Sequence, residues 1–201
     1  MMNELDKIYS ESKNAEEYSR KYCGHLCNLL SKLDHKKVAE IIDSFIEAEK
    51  AGKMIYFIGN GGSAATSTHF ACDLGKGTKN PLNKFKTQAL ADNLATFTAY
   101  ANDDGYEHVF SKQLENLLNP GDIVVSISAS GNSANLVNAV NYAKKVGAKT
   151  ISLLGFDGGN LKDMSDISLV IYTEKGEYGP VEDIHMVLDH LMTTYICRKM
   201  E

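Results

Sequence analysis

The sequence has few features of a secreted or membrane-bound protein. Its four cysteines include no Cys-x-x-Cys pair, which favours free thiols in a reducing compartment over disulfides or a thiolate metal site. No apolar run is long enough to cross a bilayer. The N-terminal segment, with Glu4, Asp6 and Lys7, lacks the apolar stretch of a signal peptide. We therefore expect a cytoplasmic protein that does not bind membranes.

Basic residues are also too few for a typical nucleic-acid-binding protein. The chain has 21 Lys and Arg residues against 26 Asp and Glu residues, which gives a formal net charge of −5. No basic stripe offsets this balance, so nucleic acid is not expected as the main partner. An anionic small molecule stays open as a ligand, because local backbone dipoles can hold a phosphate inside an acidic protein.

Proline is absent from the first fifty-one residues, and this segment is predicted to be helical. We expect one helix over about residues 3–33, with Gly24 as its candidate interruption, and a second over about residues 36–51. The second has apolar residues at helical spacing. The long, half-apolar first helix needs a surface to pack on, either the rest of the domain or another subunit.

From Met54 onward, short apolar runs alternate with helical patterns. Five runs predict strands, over residues 54–58, 86–90, 123–127, 149–154 and 167–171. The helices predicted with them cover residues 64–74, 94–101, 106–118, 134–146 and 181–199, with a short helical turn after Gly158. This alternation predicts a single α/β domain over residues 1–201, a flavodoxin-like doubly wound five-stranded parallel sheet with a helical N-terminal extension over residues 1–51.

Two loops rich in glycine and serine carry the strongest functional signal. Residues 59–63 (GNGGS) and 128–133 (SASGNS) each lie between a predicted strand and a predicted helix. Free backbone N–H groups and the helix dipole favour an anion at such a position, and glycine lets the backbone approach a ligand closely. Two such loops in one small domain indicate a phosphorylated small molecule, bound beyond the carboxyl ends of the strands.

Acids and histidines on two predicted helices are candidates for chemistry. His69 and Asp73 are four residues apart and share a helical face. Glu182 and His190 are eight apart on the last helix and share roughly one face. Together they could form a general acid/base pair or a four-ligand divalent metal site. The simpler interpretations are a surface pair for His69 and Asp73 and ordinary helix N-terminal charge for Glu182.

Two further pairs of polar residues have a structural interpretation. His185 and Asp189 are interpreted as a surface pair four residues apart on the last helix. Asn102 and Asp103 lie in a predicted polar turn between helices. They either cap and shape that turn or hydrogen-bond sugar hydroxyls.

The order of these motifs resembles the sugar isomerase (SIS) domain family, and within it the isomerases of sedoheptulose 7-phosphate. The likeness rests on the GNGGS loop, the His-Phe-Ala segment of the next helix, the Asn-Asp pair and the Ser-x-Ser-Gly-Asn-Ser loop, and it runs from about residue 36 to the end. It implies a homotetramer, with the N-terminal helices in subunit packing. It also implies an enzyme without a nucleotide cofactor that interconverts a ketose and an aldose phosphate through an enediol, for lipopolysaccharide, capsule or surface-layer heptose.

The resemblance also implies roles for individual residues. Asp73 would be the general base and His190 the second acid/base group. One zinc ion per subunit would be held by His69, Asp73, Glu182 and His190. The other matched positions would bind the sugar phosphate, with the serine loop on the phosphate; these are Asn60, Gly61, Gly62, Ser63, Asn102, Asp103, Ser128, Ala129, Ser130, Ser133 and Glu182.

The chain departs from the family pattern at several of these positions. Asp73 stands where the family has glutamate, Glu182 where it usually has glutamine and Ala129 where it often has threonine, while Gly77 replaces a common arginine. These differences leave an isomerase of another sugar phosphate as one alternative. A non-catalytic sugar-phosphate-binding protein, such as the relative that binds a replication initiator, is the other. The acid at position 73 and the histidines at positions 69 and 190 favour catalysis.

Overall fold

A five-stranded parallel sheet forms the centre of the computed structural model, which describes residues 2–77 and 84–200. Its strands are β1 (Met54–Gly59), β2 (Lys86–Ala89), β3 (Ile123–Ser128), β4 (Lys149–Phe156) and β5 (Ile167–Tyr172). The order across the sheet is β2-β1-β3-β4-β5, with every pairing parallel. This is the doubly wound, flavodoxin-like order, so the predicted fold class is confirmed. The order reverses between β1 and β3, the strands that precede the two glycine/serine loops.

Helices cover both faces of this sheet. In the described residues they are α1 (Glu4–Ser10), α2 (Ala15–Leu30), α3 (His35–Lys50), α4 (Gly62–Gly77), α5 (Leu94–Asp103), α6 (Ser111–Leu117), α7 (Ala134–Val146), α8 (Gly159–Met164) and α9 (Tyr178–Lys199). A 3₁₀ turn, Tyr106–His108, precedes α6. Helices α3, α4 and α9 bury one face of the sheet, and α6, α7 and α8 bury the other. No helix among these combines the length and apolar character needed to cross a membrane.

Side chains of the central strands alternate between the two cores, as the two-residue period of a strand requires. In β1, Ile55 and Phe57 belong to the core under α3, α4 and α9. Tyr56 and Ile58 belong to the core on the opposite face. Because both faces are covered, β1 and β3 appear in the sequence as nearly continuous apolar runs, which made them easy to predict.

The N-terminal segment differs from the prediction. It forms two helices, α1 and α2, and the break lies at residues 11–14 instead of Gly24. The side chain of Asn14 accepts a hydrogen bond from the Glu17 backbone N–H and so starts α2. Asn3 starts α1 in the same way, through a capping box with Asp6. Two asparagine caps therefore divide a segment that periodicity alone joins together.

Glu177, just before α9, connects both N-terminal helices to the domain. This carboxylate is almost fully buried. Its Oε1 accepts a hydrogen bond of 3.0 Å from the Glu4 backbone N–H. Its Oε2 lies 2.9 Å from His25 Nε2 on α2. The N-terminal extension is thus fastened to the start of α9, close to the candidate site.

Two smaller differences concern the region before β3. Helix α5 extends through Asn102 and Asp103, so these residues form the last turn of a helix instead of a polar turn. Gly105, with φ of +93°, then directs the chain away from α5. The helix predicted over residues 106–118 is divided into the 3₁₀ turn and α6.

Candidate active site

The two glycine/serine loops meet at the carboxyl edge of the sheet. They leave β1 and β3, which are direct neighbours and pair Gly59 with Ile127. A cavity of about 190 Å³ lies between them. Tyr178 contributes to its wall. Seven of the predicted substrate-binding residues also line it: Asn60, Ser63, Ser128, Ala129, Ser130, Ser133 and Glu182.

The serine loop is held in shape by its own hydrogen bonds. Ser128 Oγ accepts a bond of 3.1 Å from the Gly131 backbone N–H. Gly131 has φ of +62°, and a Cβ atom there would lie 2.0 Å from the carbonyl oxygen of Gly158, so only glycine fits. Ser133 is the N-cap of α7 but makes no side-chain capping bond. Its hydroxyl and the start of α7 are therefore available to an anion in the cavity.

The side chain of Asn60 is committed to holding the two loops together. Its amide exchanges two hydrogen bonds with Asn135 on α7, of 2.8 and 2.9 Å. Its Oδ1 also accepts a bond of 2.9 Å from the Tyr106 hydroxyl. Asn60 therefore shapes the cavity and has little remaining capacity to bind a sugar through its side chain. Asn135 and Tyr106 were not predicted as site residues, because no local sequence motif marks them.

Glu182 belongs to α9, and its carboxylate lies against Gly62 at the start of α4. A Cβ atom on Gly62 would come within 2.4 Å of Glu182 Oε2, so the absence of a side chain at Gly62 makes room for this carboxylate. The negative charge faces the N-terminal end of the helix, where the dipole favours it. Glu182 thus lines the loop cavity.

His69, Asp73 and His190 come together about two helical turns further along the same two helices. Helices α4 and α9 pack side by side and place His69 Nε2 3.3 Å from His190 Nε2. Asp73 Oδ2 lies 3.4 Å from His69 Nε2 and 3.9 Å from His190 Nε2. All three side chains are partly exposed, so a small molecule can reach them.

Glu182 does not join this group within one subunit. It precedes His190 by eight residues, which is about 12 Å along a helix. The shared helical face that suggested a common metal site is therefore not enough to bring the two side chains to one ion. The role of Glu182 in the metal set that the resemblance implies stays a prediction.

Asp189 is the fourth member of the group, and the surface interpretation of this residue was wrong. Its side chain is 0% exposed, and Oδ2 lies 4.0 Å from His69 Nε2. Among the described residues, neither carboxylate oxygen has a hydrogen-bond partner. Burial, together with the nearby Asp73 charge, raises the pKa of Asp189 to about 7, although His69 acts in the opposite direction.

His185, one turn before Asp189, is also fully buried. Burial lowers its pKa to about 4, and the Leu154 backbone offsets this only in part. In the part of the chain that the structure describes, neither ring nitrogen makes a hydrogen bond of regular geometry. The buried face of α9 thus carries two ionisable side chains among its apolar residues.

Asn102 and Asp103 are both exposed at the end of α5. The Asn102 side-chain amide donates a hydrogen bond of 2.7 Å to Asp103 Oδ1. Neither residue is among those that line the loop cavity. Their role in substrate binding stays a prediction.

The acid/histidine group has the composition of a metal site. Ligand atoms of His69, Asp73, Asp189 and His190 all lie within 4.8 Å of one another. Two imidazoles and two carboxylates suit a divalent first-row metal ion, and the two negative charges would balance it. The unpartnered, buried carboxylate of Asp189 fits this interpretation, because a cation would supply the missing partner.

A family comparison defines the class of protein to which this fold and site belong. The sequence model of the SIS domain matches residues 20–155. The chain belongs to the SIS domain family.

Individual relatives narrow the comparison further. The phosphoheptose isomerase of Aliarcobacter butzleri is 38% identical over 151 residues, which are 75% of this chain and 79% of the relative. The probable phosphoheptose isomerase of Thermoplasma acidophilum is 34% identical over 181 residues, 90% of this chain and 98% of the relative. The structure of phosphoheptose isomerase from Neisseria gonorrhoeae superposes with a TM-score of 0.82 at 29% identity, covering 91% of this chain and 98% of that one.

Proposed function

We propose that this chain is a phosphoheptose isomerase, which converts sedoheptulose 7-phosphate to D-glycero-D-manno-heptose 7-phosphate through an enediol. The observation that carries the proposal is the alignment of two sites along the packed helices α4 and α9. The loop cavity lies at their N-terminal ends, and the acid/histidine group lies further along both. The relatives named phosphoheptose isomerase support the same reaction.

The spacing of the two sites fits a long sugar phosphate. His69 follows Gly62 by seven residues, about 10 Å along α4. An extended peptide chain covers about 3.5 Å for every three backbone bonds. On the same scale, the eight bonds from C1 to the phosphorus of an extended heptose 7-phosphate cover roughly 9–10 Å. A substrate with its phosphate at the serine loop can thus present its carbonyl end near His69 and Asp73.

The phosphate would act as a handle that fixes the rest of the substrate. We assign it to the backbone N–H groups at the start of α7 and to the hydroxyls of Ser128, Ser130 and Ser133. Ala129 contributes its backbone only. Asn60, Gly61, Gly62 and Ser63 would border the sugar chain, and Glu182 would accept hydrogen bonds from its hydroxyls. Asn102 and Asp103 are proposed to contact the sugar from α5.

Isomerisation requires a base that removes the proton α to the carbonyl and an acid that protonates the carbonyl oxygen. We assign the first role to Asp73 and the second to His190. Their side chains come from different helices, are both partly exposed and lie 3.9 Å apart. Asp73 then returns the proton to the neighbouring carbon of the enediol, while the hydroxyl on the first carbon gives up its proton to His190 and becomes the new carbonyl. This restores both groups and completes the exchange of ketose and aldose. The shorter side chain, compared with glutamate, requires the substrate to sit closer to α4.

Zinc is the proposed metal, one ion per subunit. His69, Asp73, Glu182 and His190 would hold it, and three of them, His69, Asp73 and His190, belong to the acid/histidine group. When bound, the ion would supply Lewis-acid polarisation of the substrate oxygen. His69 is not assigned an acid/base role, so its proposed contribution is to bind the metal.

A homotetramer is the proposed assembly. Val187, Leu191 and Tyr195 are spaced by four residues on α9, and each is more than a third exposed. Such an apolar row beside His190 supports contact with another subunit. The N-terminal helices α1 and α2 are proposed to take part in the same packing. We further propose a cytoplasmic enzyme that supplies heptose for lipopolysaccharide, capsule or surface-layer glycan.

The experiment that tests the function is a panel of sugar phosphates with the purified protein. Turnover of sedoheptulose 7-phosphate to the aldose is the expected result. Asp73 and Glu182 both differ from the family pattern, which favours one second candidate: an isomerase of another ketose phosphate, such as a hexulose phosphate. Turnover of that compound alone would replace the proposed substrate. Thermal stabilisation by sugar phosphates without turnover of any would favour a non-catalytic binding protein.

A further inference from the structure

We infer that Tyr178 binds the substrate, and that its hydroxyl donates a hydrogen bond to the phosphate group in the loop cavity. The inference deepens the proposed function and rests on its placement of the phosphate at the serine loop. Three features of the described residues carry it: the position of Tyr178 in the cavity, the lack of cationic donors there, and the contacts that hold its ring and backbone in place.

Tyr178 lies where the start of α9 meets the serine loop. It lines the loop cavity together with Glu182, which follows one helical turn later on the same face of α9. Near the end of β4, the Gly155 backbone N–H donates a hydrogen bond of 3.1 Å to the Ala129 carbonyl oxygen. A Cβ atom on Gly155 would lie 2.6 Å from Val181 Cγ1 and 3.0 Å from that same oxygen. The first turn of α9 is therefore packed beside the serine loop.

The cavity offers a phosphate only neutral donors. Among the described residues that line it, none is lysine, arginine or histidine. Ala129 carries no hydroxyl, and the carboxylate of Glu182, when ionised, accepts hydrogen bonds without donating them. Tyr178 is 50% exposed, and its hydroxyl makes no hydrogen bond to any other residue that the structure describes. This O–H group is therefore available to a phosphate oxygen and adds one donor to those of the serine hydroxyls.

The ring of Tyr178 packs against a residue with a strained backbone. Its edge-on contact with Phe156 has ring centroids 5.0 Å apart and an angle of 83° between the planes. Phe156 ends β4, is buried and has φ of +54°, and it is the only non-glycine residue of the described segments with a positive φ. A bulky residue in this conformation is unfavourable and persists only where its surroundings hold it, most often at ligand sites. Here the conformation places a buried ring against Tyr178 at the edge of the cavity.

The backbone on either side of Tyr178 is fixed by the N-terminal helices. Glu177, the preceding residue, is the buried carboxylate that contacts both α1 and α2. On the other side, Asp183 Oδ2 accepts a hydrogen bond of 2.6 Å from the Tyr22 hydroxyl on α2. A side chain that is held in place before the ligand arrives loses little conformational entropy on binding, so its hydrogen bond contributes more to affinity.

The test compares Tyr178→Phe with a matched control, Tyr172→Phe. Each change removes one phenolic hydroxyl and keeps the ring, so the packing of residue 178 on Phe156 is retained. Tyr172 is exposed on β5 and is not among the described residues that line the loop cavity. For each full-length protein, isothermal titration calorimetry measures the Kd of inorganic phosphate, and the isomerase assay with sedoheptulose 7-phosphate gives KM and kcat. Circular dichroism confirms that each variant is folded.

Tyr178→Phe is expected to raise the Kd of inorganic phosphate and the KM of sedoheptulose 7-phosphate by the same factor, about 5–20-fold, as for the loss of one hydrogen bond to a charged group. Its kcat should stay within about twofold of the wild-type value, because the phosphate contact is equal in the ground state and the transition state. Tyr172→Phe should match the wild type in all three constants. A wild type that binds no phosphate, or a lower kcat with unchanged KM in Tyr178→Phe, would overturn the inference.

The phosphate titration does not depend on turnover. A wild type that binds phosphate more tightly than Tyr178→Phe but isomerises no sugar phosphate would contradict the proposed function and leave the role of Tyr178 standing. Conversely, an active wild type with the same phosphate Kd as Tyr178→Phe would keep the function and remove Tyr178 from the phosphate site. A raised KM with an unchanged phosphate Kd would place the hydroxyl on the sugar and so would also overturn the inference.

Discussion

His69 on α4 and His190 on α9 face each other with their Nε2 atoms 3.3 Å apart. Two helices that lie on the same side of the sheet thus bring together residues 121 positions apart in the sequence. Their side-by-side packing also places Glu182 against Gly62 two helical turns earlier. The packing of α4 against α9 therefore shapes both the loop cavity and the acid/histidine group. Substitutions in one of these two sites are expected to have effects that differ from those of substitutions in the other.

Metal removal is expected to lower the stability of the wild type and to leave His69→Leu almost unaffected, because this variant lacks a proposed zinc ligand. Free zinc at a hundred times its Kd stabilises a folded protein by about 2.7 kcal/mol. Urea unfolding with zinc and with EDTA measures both effects, and an EDTA effect of equal size in the two proteins would contradict them.

Gly131→Ala is expected to destabilise the protein much more than Gly61→Ala. Both glycines have positive φ, of +62° and +54°, so alanine is strained at either position by about 1 kcal/mol. A Cβ atom at Gly131 also meets the Gly158 carbonyl oxygen, whereas no atom of the described residues lies within 4 Å of one at Gly61. The clash should add at least about 2 kcal/mol for Gly131→Ala. Equal free energies of unfolding for the two variants would show that the serine loop does not pack as described.

Asn135→Ala is expected to disturb the cavity more than Tyr106→Phe. The first change removes both hydrogen bonds of the paired amides, and the second removes a single donor to Asn60. We expect losses of about 1–3 kcal/mol and under about 1.5 kcal/mol in the free energy of unfolding. In the isomerase assay Asn135→Ala should raise KM more than it lowers kcat, because Asn135 positions the loops. A drop in kcat with unchanged KM would argue against this positioning role.

Because of His185, the free energy of unfolding is expected to decrease as the pH falls. Its folded pKa of about 4 is below the unfolded value of 6.5, so the unfolded chain binds the proton more tightly. Its contribution to stability is complete above about pH 6.5 and is lost progressively as the pH falls towards 4. Between pH 7 and pH 5 this loss amounts to about 2 kcal/mol.

The measurement compares the free energy of unfolding of wild type and His185→Leu at several pH values. Asp189, whose raised pKa acts in the opposite direction, titrates in both proteins, so the difference between them isolates His185. The variant should gain about 2 kcal/mol on the wild type from pH 7 to pH 5, with a constant difference between pH 7 and pH 8. A difference that does not change with pH would contradict the neutral, buried state of His185.

The central strands of the sheet could be predicted from the sequence because they are covered on both faces. Such strands form continuous apolar runs between glycine-rich loops, and helix α7 was predicted with the bounds that the structure has. The break between α1 and α2 could not be predicted from periodicity. It depends on Asn14, whose side chain accepts a hydrogen bond from the Glu17 backbone N–H and so starts α2. This local bond competes with the continuation of one long helix through residue 14.

The site was only partly predictable for a different reason. Spacing of four residues places His185 and Asp189 on one helical face but does not say which face is buried. The buried apolar residues of α9, among them Ile184, Leu188 and Met192, surround both positions, and this pattern is a signal that could have identified them. The hydrogen bonds of Asn60 to Asn135 and Tyr106 join distant segments, so they follow only from the three-dimensional fold.

The most direct test of the central claim is the rate of isomerisation of sedoheptulose 7-phosphate by wild type, Asp73→Asn and His190→Ala, with Asp43→Asn as an exposed control. Circular dichroism and zinc content are recorded for each protein, so that loss of chemistry is separated from loss of fold or metal. Wild type and Asp43→Asn are expected to form the aldose at the same rate, and each site variant should be slower by about 10²–10⁴-fold, the usual contribution of a general acid or base. Turnover by Asp73→Asn and His190→Ala at the wild-type rate would contradict the account.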